Sequence, residues 1–296
     1  SSPVFDTVSF AKDFTNIIND LNLNRIFNSS IMNTIVKSFG AKFGTGISSR
    51  QGIVQDLNRN VMLGTLSHIR RLSNPLPSGS KMIGPRKLHN SQWGFVCPTE
   101  SPDGGNVGII NHLSIIAKVT TNISETGIIE CLQDINILSI NDTVINDFYN
   151  KTKIFLNGRI FGLHSDPQFL YKYLKLLKLN SIININTSIS WDIKSGEFHI
   201  FTDSGRIIRP VFYLKKDKDG NKYNELINKD YSYIETWSKA IHGLMYNEKP
   251  DITPYDTEYH RDILEEIKKK PDFMRYLEDN GACIEYIDSI ESENAF

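Results

Sequence analysis

The run 58-NRNVMLGTLSHIRRLSNPLPSGSKMIGPRKLHNSQWGFVCPTESPDGGNVGIINHLSII-116 passes through three textures in turn. It opens with Val61, Leu66 and Ile69 at helical spacing, and Gly64 weakens that helix. It continues through NPLPSGSKMIGP over 74–85, where three prolines and two glycines among polar residues predict a long loop with a job to do. It ends in Ile109, Ile110, Leu113, Ile115 and Ile116, with Val119 just beyond, an apolar and β-branched stretch that predicts a strand. Between loop and strand, Trp93-Gly94 leads into Cys97-Pro98-Thr99-Glu100-Ser101-Pro102-Asp103-Gly104-Gly105. Prolines that lock φ beside glycines that free it define a backbone course more tightly than a casual connection needs. Helix and loop followed by strand predict an α+β chain.

Working outward, Phe10, Phe14, Ile17, Ile18 and Leu21 predict an amphipathic helix, and a second spans Ile31 to Phe39. The glycine-rich break Gly40 to Gly46 separates these from Arg50 to Arg71, read as helix with interruptions. Toward the C-terminus, IINI (182–185), ILSI (137–140), KIFL (153–156) and FHIFT (198–202) predict short strands around one helix, Asp166 to Leu179, with an Asp cap and a proline in its first turn. Asp203-Ser204-Gly205 reads as a hairpin turn, and KKDKDGNK (215–222) as a polar turn joining two strands. The stretch 251–280 reads as helical, with Ile263, Leu264, Ile267, Phe273 and Leu277 on one face and the charge run Glu265 to Lys270 as a solvated one.

Composition narrows the function. The 296 residues carry 33 Lys+Arg against 34 Asp+Glu, a formal net charge of −1, with 40% hydrophobic residues. This excludes wholesale disorder and a non-specific nucleic-acid coat, so any phosphate contact must come from a local patch. Cys97, Cys131 and Cys283 are odd in number and hold no C-x-x-C spacing, which predicts reduced thiols rather than a disulfide scaffold or a Cys-rich zinc site. No apolar run reaches the roughly 18 residues of a membrane span, and Ser1-Ser2-Pro3 does not read as a signal peptide.

A cationic patch lies between residues 42 and 89: Lys42, Arg50, Arg59, His68, Arg70, Arg71, Lys81, Arg86, Lys87 and His89, with only Asp56 opposing them and the amides Gln51, Gln55, Asn58 and Asn60 interleaved. Guanidinium groups match phosphate oxygens bidentately and amides reach base edges, so the pattern suits nucleic acid; a solvated helix paired with acids elsewhere is the plainer alternative. Glu100 and Asp103 could serve proton transfer or metal binding, but an irregular segment fits arginine partners and turn capping at least as well. Trp93, Trp191 and Trp237 read as core or interface aromatics, and His164, His199 and His242 as singletons without a metal. Arg209 is a candidate to pair with an acid across domains.

The stretch 58–116 resembles the fork region of the second-largest (beta-like) subunit of multisubunit DNA-directed RNA polymerases, in LSHIRR (66–71), PRKLH (85–89), WG (93–94) and CPTESPDGG (97–105). The resemblance continues in 155-FLNGRIFGLHSDP-167, 200-IFTDSGRIIRPVF-212 and 284-IEYIDSIESEN-294. It implies a helical and loop fork region over 1–119 with an extended loop at Pro75 to Gly84, then two small mixed α/β outer domains, external domain 1 over 120–213 and external domain 2 over 214–296. Ser101 stands where the family has Thr, Asp103 where it has Glu, and Lys87 where Gln is common.

Carried over residue by residue, the resemblance implies nucleic-acid contacts at Gln55, Arg59, His68, Arg70, Arg71, Lys81, Arg86 and Lys87, and support of the active centre by His89, Glu100, Asp103 and Gly104. No catalytic residue or metal ligand is implied in the chain. Its implied cofactor is none of its own, with Mg in the assembled polymerase held by another subunit. Partners would be other polymerase subunits or sections including the largest subunit, together with template DNA and the RNA:DNA hybrid, and no membrane. The chain alone is expected to be inactive in nucleotidyl transfer, and its ends to be interfaces. Intracellular location in nucleus or cytoplasm follows, or in a virion if it is viral, since rich Asn, Ile and Lys usage suits the A/T-rich genome of a large DNA virus. A non-catalytic nucleic-acid-binding or regulatory protein derived from such a subunit is the alternative.

Overall fold

A computed structural model describes residues 29–38, 42–43, 50–51, 54–74, 76, 81–135, 137–139, 145–216, 220–228 and 236–294. The helix read around Phe10 to Leu21, most of the glycine-rich break and nearly all of the loop 75–80 lie outside them. The chain divides into two compact units, Ser1–Arg70 and Arg71–Phe296.

In the first unit, α1 (Ser29–Ser38) precedes a two-stranded ribbon in which β1 (Lys42–Phe43) pairs antiparallel with β2 (Arg50–Gln51). Helix α2 is confined to Met62–Ile69, far shorter than the reading from Arg50 to Arg71. The Asn58 side chain accepts the Asn60 N–H at 3.1 Å, so the backbone turns back on itself just before the helix and cannot extend it toward the N-terminus. The Thr65 hydroxyl ties that turn to the helix, donating to the Asn58 carbonyl at 2.7 Å.

The second unit begins with β3 (Arg71–Ser73), which pairs antiparallel with β4 (Ile110–His112). The strand expected over 109–119 is two strands, because a turn at Ser114–Ala117 (Ala117 N–H to Ser114 O, 3.0 Å) separates β4 from β5 (Lys118–Val119). After α3 (Thr126–Gln133) come β6 (Leu138–Ser139), α4 (Ile145–Asn150), β7 (Thr152–Leu156), β8 (Arg159–His164), α5 (Pro167–Leu179), β9 (Ser188–Asp192) and β10 (Glu197–Phe201). These strands form a sheet of order β6-β8-β7-β10-β9, parallel only between β7 and β10. The start of α5 follows the reading: the Asp166 carboxylate accepts the Phe169 N–H at 3.0 Å and Pro167 fills the first helical position.

The next strand, β11 (Ile207–Phe212), lies between β5 and a later strand in a separate sheet. Asp203-Ser204-Gly205 is therefore a turn between sheets and not a hairpin, with Gly205 at φ +85° and its N–H donated to the Thr120 carbonyl. Beyond it, β12 (Lys215–Lys216) and β13 (Lys222–Tyr223) pair antiparallel across the polar turn. Then follow α6 (Glu225–Asn228), α7 (Trp237–His242), α8 (Met245–Glu248), α9 (Arg261–Lys268), α10 (Phe273–Asp279), β14 (Ile284–Asp288), which completes the β5-β11-β14 sheet, and α11 (Ser289–Glu293). Pro271 splits the helical reading of 251–280 into α9 and α10, and residues 251–260 are not helical. On α9, Leu264 and Ile267 are buried while Glu265, Glu266 and Lys268 face solvent, as the charge run predicts.

IINI is not a strand. Ile182, Ile183 and Ile185 are buried, but the Asn184 amide donates to the Pro254 and Asp256 carbonyls and its oxygen accepts the Asn186 N–H, so a side chain supplies bonds that a ladder would otherwise make. The core of the unit gathers Leu170, Leu174 and Leu177 of α5, Ile154 and Leu156 of β7, Phe198 and Ile200 of β10, and Leu264 and Leu277. Within it lies a buried charge cluster. Lys178, 2% exposed, meets the carboxylates of Glu291 (3.0 Å) and Glu285 (3.2 Å), and Lys175 meets the same two. Burial works against charge on Glu285, yet Lys178 and Lys175 outweigh it and bring that carboxyl down to about 2.

Candidate nucleic-acid interface

The cationic residues fall in both units. In the first, His68 accepts the Asn58 N–H on Nδ1 at 3.1 Å and meets the Gln55 side-chain oxygen with Nε2 at 3.1 Å. An imidazole that accepts on one nitrogen must donate from the other, so the His68 ring is committed to the turn that leads into α2. What Gln55 retains for an outside ligand is its amide N–H2. Arg59 is exposed beside a shallow depression lined by Val61, Met62, Thr65 and Leu66. Arg70, half-buried, closes α2 with its backbone N–H on the Leu66 carbonyl.

In the second unit, β3 places Arg71 on an exposed edge directly across from His112. The Arg71 Nε lies 3.5 Å from His112 Nε2, and His112 Nδ1 lies 3.0 Å from the Glu100 carbonyl oxygen. Arg86 is half-buried and donates from Nη1 to the Gly105 and Val107 carbonyls, both at 2.8 Å. One Arg86 nitrogen thus fastens the 97–108 segment. Gly108 shows how close that fastening is, since at φ +70° a Cβ there would stand 2.4 Å from the Arg86 carbonyl oxygen.

Ser101 completes the loop. Its hydroxyl accepts the Gly108 N–H at 2.8 Å and donates to the Ile110 carbonyl at 3.1 Å, so a threonine position becomes a serine with its hydrogen bonds satisfied. Asp103 precedes the short 3-10 turn Gly104–Asn106 without capping it through its side chain, and Gly104 supplies the left-handed φ of +75° that the turn needs. His89 caps the preceding such turn, Asn90–Gln92, with its Nδ1 accepting the Ser91 N–H. Cys97 lies against the Thr99 hydroxyl, whose hydrogen bond holds the thiol below its usual range, while burial pushes the Cys131 thiol up to about 12. Lys81 and Lys87 are exposed.

The structure thus brings Arg71, Glu100 and His112 together, and Arg86 with the loop that carries Asp103 and Gly104. Sequence reasoning missed His112, whose only signal was a polar residue in an apolar run. Of the tryptophans read as core or interface aromatics, Trp191 packs against the core, while Trp93 is 73% and Trp237 56% exposed. Arg209 lies over the Phe95 ring, 5.1 Å from its centroid, and reaches the Ser292 hydroxyl; these contacts take the place of the acid expected for it. Among the described residues no group of three His, Cys, Asp or Glu is arranged to hold a metal ion, and no helix is long and apolar enough to cross a membrane.

Comparison with known proteins falls on this same stretch. Residues 55–119 match the family described as RNA polymerase Rpb2, domain 3, and residues 154–215 match RNA polymerase Rpb2, domain 4. The chain is 37% identical over 172 residues to DNA-directed RNA polymerase II subunit RPB2 of Encephalitozoon cuniculi, covering 58% of this chain and 15% of that protein. It is 33% identical over 247 residues to the subunit of the same name from Meyerozyma guilliermondii, covering 83% and 19%. To DNA-directed RNA polymerase subunit 2 of Acanthamoeba polyphaga mimivirus it is 30% identical over 234 residues, covering 76% and 20%. The chain therefore spans about a fifth or less of the length of these relatives.

Proposed function

We propose that this chain, which carries domains 3 and 4 of the RNA polymerase Rpb2 family over residues 55–119 and 154–215, serves as a section of the second-largest subunit of a DNA-directed RNA polymerase. In this reading it shapes the active-centre cleft and contacts template DNA, the RNA:DNA hybrid and neighbouring subunits, the largest among them. The fork region runs over 1–119, external domain 1 over 120–213 and external domain 2 over 214–296. The work is intracellular, wherever transcription by the assembled enzyme takes place.

The observation that carries the reading is that the domain 3 match coincides with the cationic stretch built on β3, β4 and the 97–108 loop. Arg59, Arg70, Arg71, Lys81 and Lys87 supply charge for phosphates without regard to sequence, as an enzyme moving along any template requires. Gln55 and His68 shape the turn beside Arg59. Arg86, through the Gly105 and Val107 carbonyls, and Gly104, through its positive φ, fix the backbone course of the 97–108 segment, and His89, Glu100 and Asp103 support the active centre with them in this reading. In this reading magnesium, the ion of nucleotidyl transfer, would be held by another subunit and would supply phosphate neutralisation there.

Reconstitution tests this. The chain is co-expressed with polypeptides that supply the remaining Rpb2 regions and with the largest subunit. The expected outcome is a complex containing the chain whose RNA synthesis depends on it, and no synthesis by the chain alone. Full synthesis without the chain, or synthesis by the chain alone, overturns the reading.

A further inference from the structure

The Arg71, His112 and Glu100 contacts have a property that a plain ion pair lacks. Because Arg71 and His112 are register partners across β3 and β4, their side chains share one face of the ribbon. The Glu100 carbonyl oxygen, 3.0 Å from His112 Nδ1, can only accept, so Nδ1 carries the ring proton. Nε2 is then left with a lone pair, and the N–H of Arg71 Nε stands 3.5 Å from it. The Glu100 carboxylate oxygen Oε1 stands 3.8 Å from the same nitrogen. A cation and an anion thus compete for one ring atom. The neutral ring can serve only the guanidinium; a ring protonated on both nitrogens can serve only the carboxylate, and repels Arg71.

The ring itself is held still. His112 is 5% exposed, and the Cys97 N–H donates to its backbone carbonyl at 2.8 Å. The titratable and charged side chains on the segments packed against β4 are Arg71 from β3 and Cys97, Glu100 and Asp103 from the loop. Arg71 is the exposed member of the set, so a change at the buried ring is read out at the surface.

We propose that His112 is the positioning residue for Arg71: as a neutral imidazole it holds the guanidinium in place for a phosphate, and a ring protonated on both nitrogens would, without moving, give its Nε2–H to Glu100 and release Arg71. This rests on the reading of Arg71 as a nucleic-acid contact, and it makes that one contact dependent on pH while the other arginines and the lysines stay charged.

The test uses the full chain and a fluorescein-labelled bubble duplex carrying an annealed RNA strand, with binding followed by anisotropy against salt at about pH 8 and about pH 5, the two ends of the range where imidazoles titrate. The wild type should lose about one unit of salt slope on acidification, the signature of one phosphate contact. The His112→Gln chain should lose none, because a glutamine amide can donate to the Glu100 carbonyl and accept from Arg71 at either pH. Arg71→Ala should show the lower slope at both. If Arg71→Ala lowers the slope while the wild type keeps a constant one, the role of His112 is overturned and the nucleic-acid reading stands. If Arg71→Ala leaves the slope unchanged at both pH values, Arg71 is no phosphate contact and the proposal falls with it. Should His112→Gln fail to fold, the wild type and Arg71→Ala decide the matter alone: convergence of their slopes at the lower pH supports the proposal and a constant gap overturns it.

Discussion

Helices α2 and α5 are both amphipathic by sequence, yet α2 buries none of its eight residues and α5 buries seven of its thirteen. Met62 and Leu63 are about four-fifths exposed on α2. On α5 even two lysines are drawn inside, because Glu285 and Glu291 meet them there. An apolar helix that stays bare stabilises its unit little and costs solvation. A helix that buries charge with its partners is committed to one fold, because a lone buried charge is so costly.

The sharpest way to break that contrast is Lys178→Met. It leaves Glu285 and Glu291 sharing Lys175, and should cost about 3–5 kcal/mol in chemical denaturation. The exposed pair Arg261 and Glu265, broken by Glu265→Ala, should cost at most about 1 kcal/mol. Next in size, Leu174→Ala should cost about 2–5 kcal/mol, whereas Leu63→Ala should stay within about 0.5 kcal/mol in the free chain and instead weaken assembly with the other polymerase sections. Equal destabilisation by the two leucine changes would mean that α2 has a core of its own.

A pH series separates two windows. His242 Nδ1 meets the Ser181 hydroxyl at 2.9 Å, and the Nε2 atoms of His242 and His260 are buried without a hydrogen bond. Burial holds both imidazoles below their ordinary value of 6.5, helped at His260 by Lys249. The unfolded chain therefore binds more protons than the folded one as pH falls past 6.5, so stability is complete above that value and declines below it. Glu285 adds a second, more acidic loss: its stabilisation is complete above the ordinary carboxyl value of 4.5 and vanishes as pH falls toward about 2. Denaturation midpoints measured through both windows check this, and His242→Gln should flatten the upper one.

The smallest effects belong to the cationic stretch. Lys81→Ala and Lys87→Ala should each lower the salt slope of template binding by about one unit with an unchanged melting temperature. Arg86→Ala should do the reverse in part, lowering the melting temperature because the Gly105 and Val107 carbonyls lose a donor. A melting temperature unmoved by Arg86→Ala would mean that these two bonds do not hold the segment.

Local chemistry was legible in the chain. The Asp166-Pro167 start of α5, the strands at 152–156 and 197–201, the solvated face of α9 and the α+β class all follow from caps, prolines and apolar spacing, because each depends on neighbours a few residues away. The motif-bearing stretch 58–116 was legible for the same reason, as a string of residue types in fixed order. Tertiary structure alone decided the rest. Lys178 finds Glu291 across 113 residues, Arg71 finds His112 across 41, and Asn184 takes carbonyls some 70 residues away, so that IINI is no strand. Nothing in the local pattern signals such pairings: a buried charge or ring is stable only through a partner whose approach is set by how the sheets and helices pack.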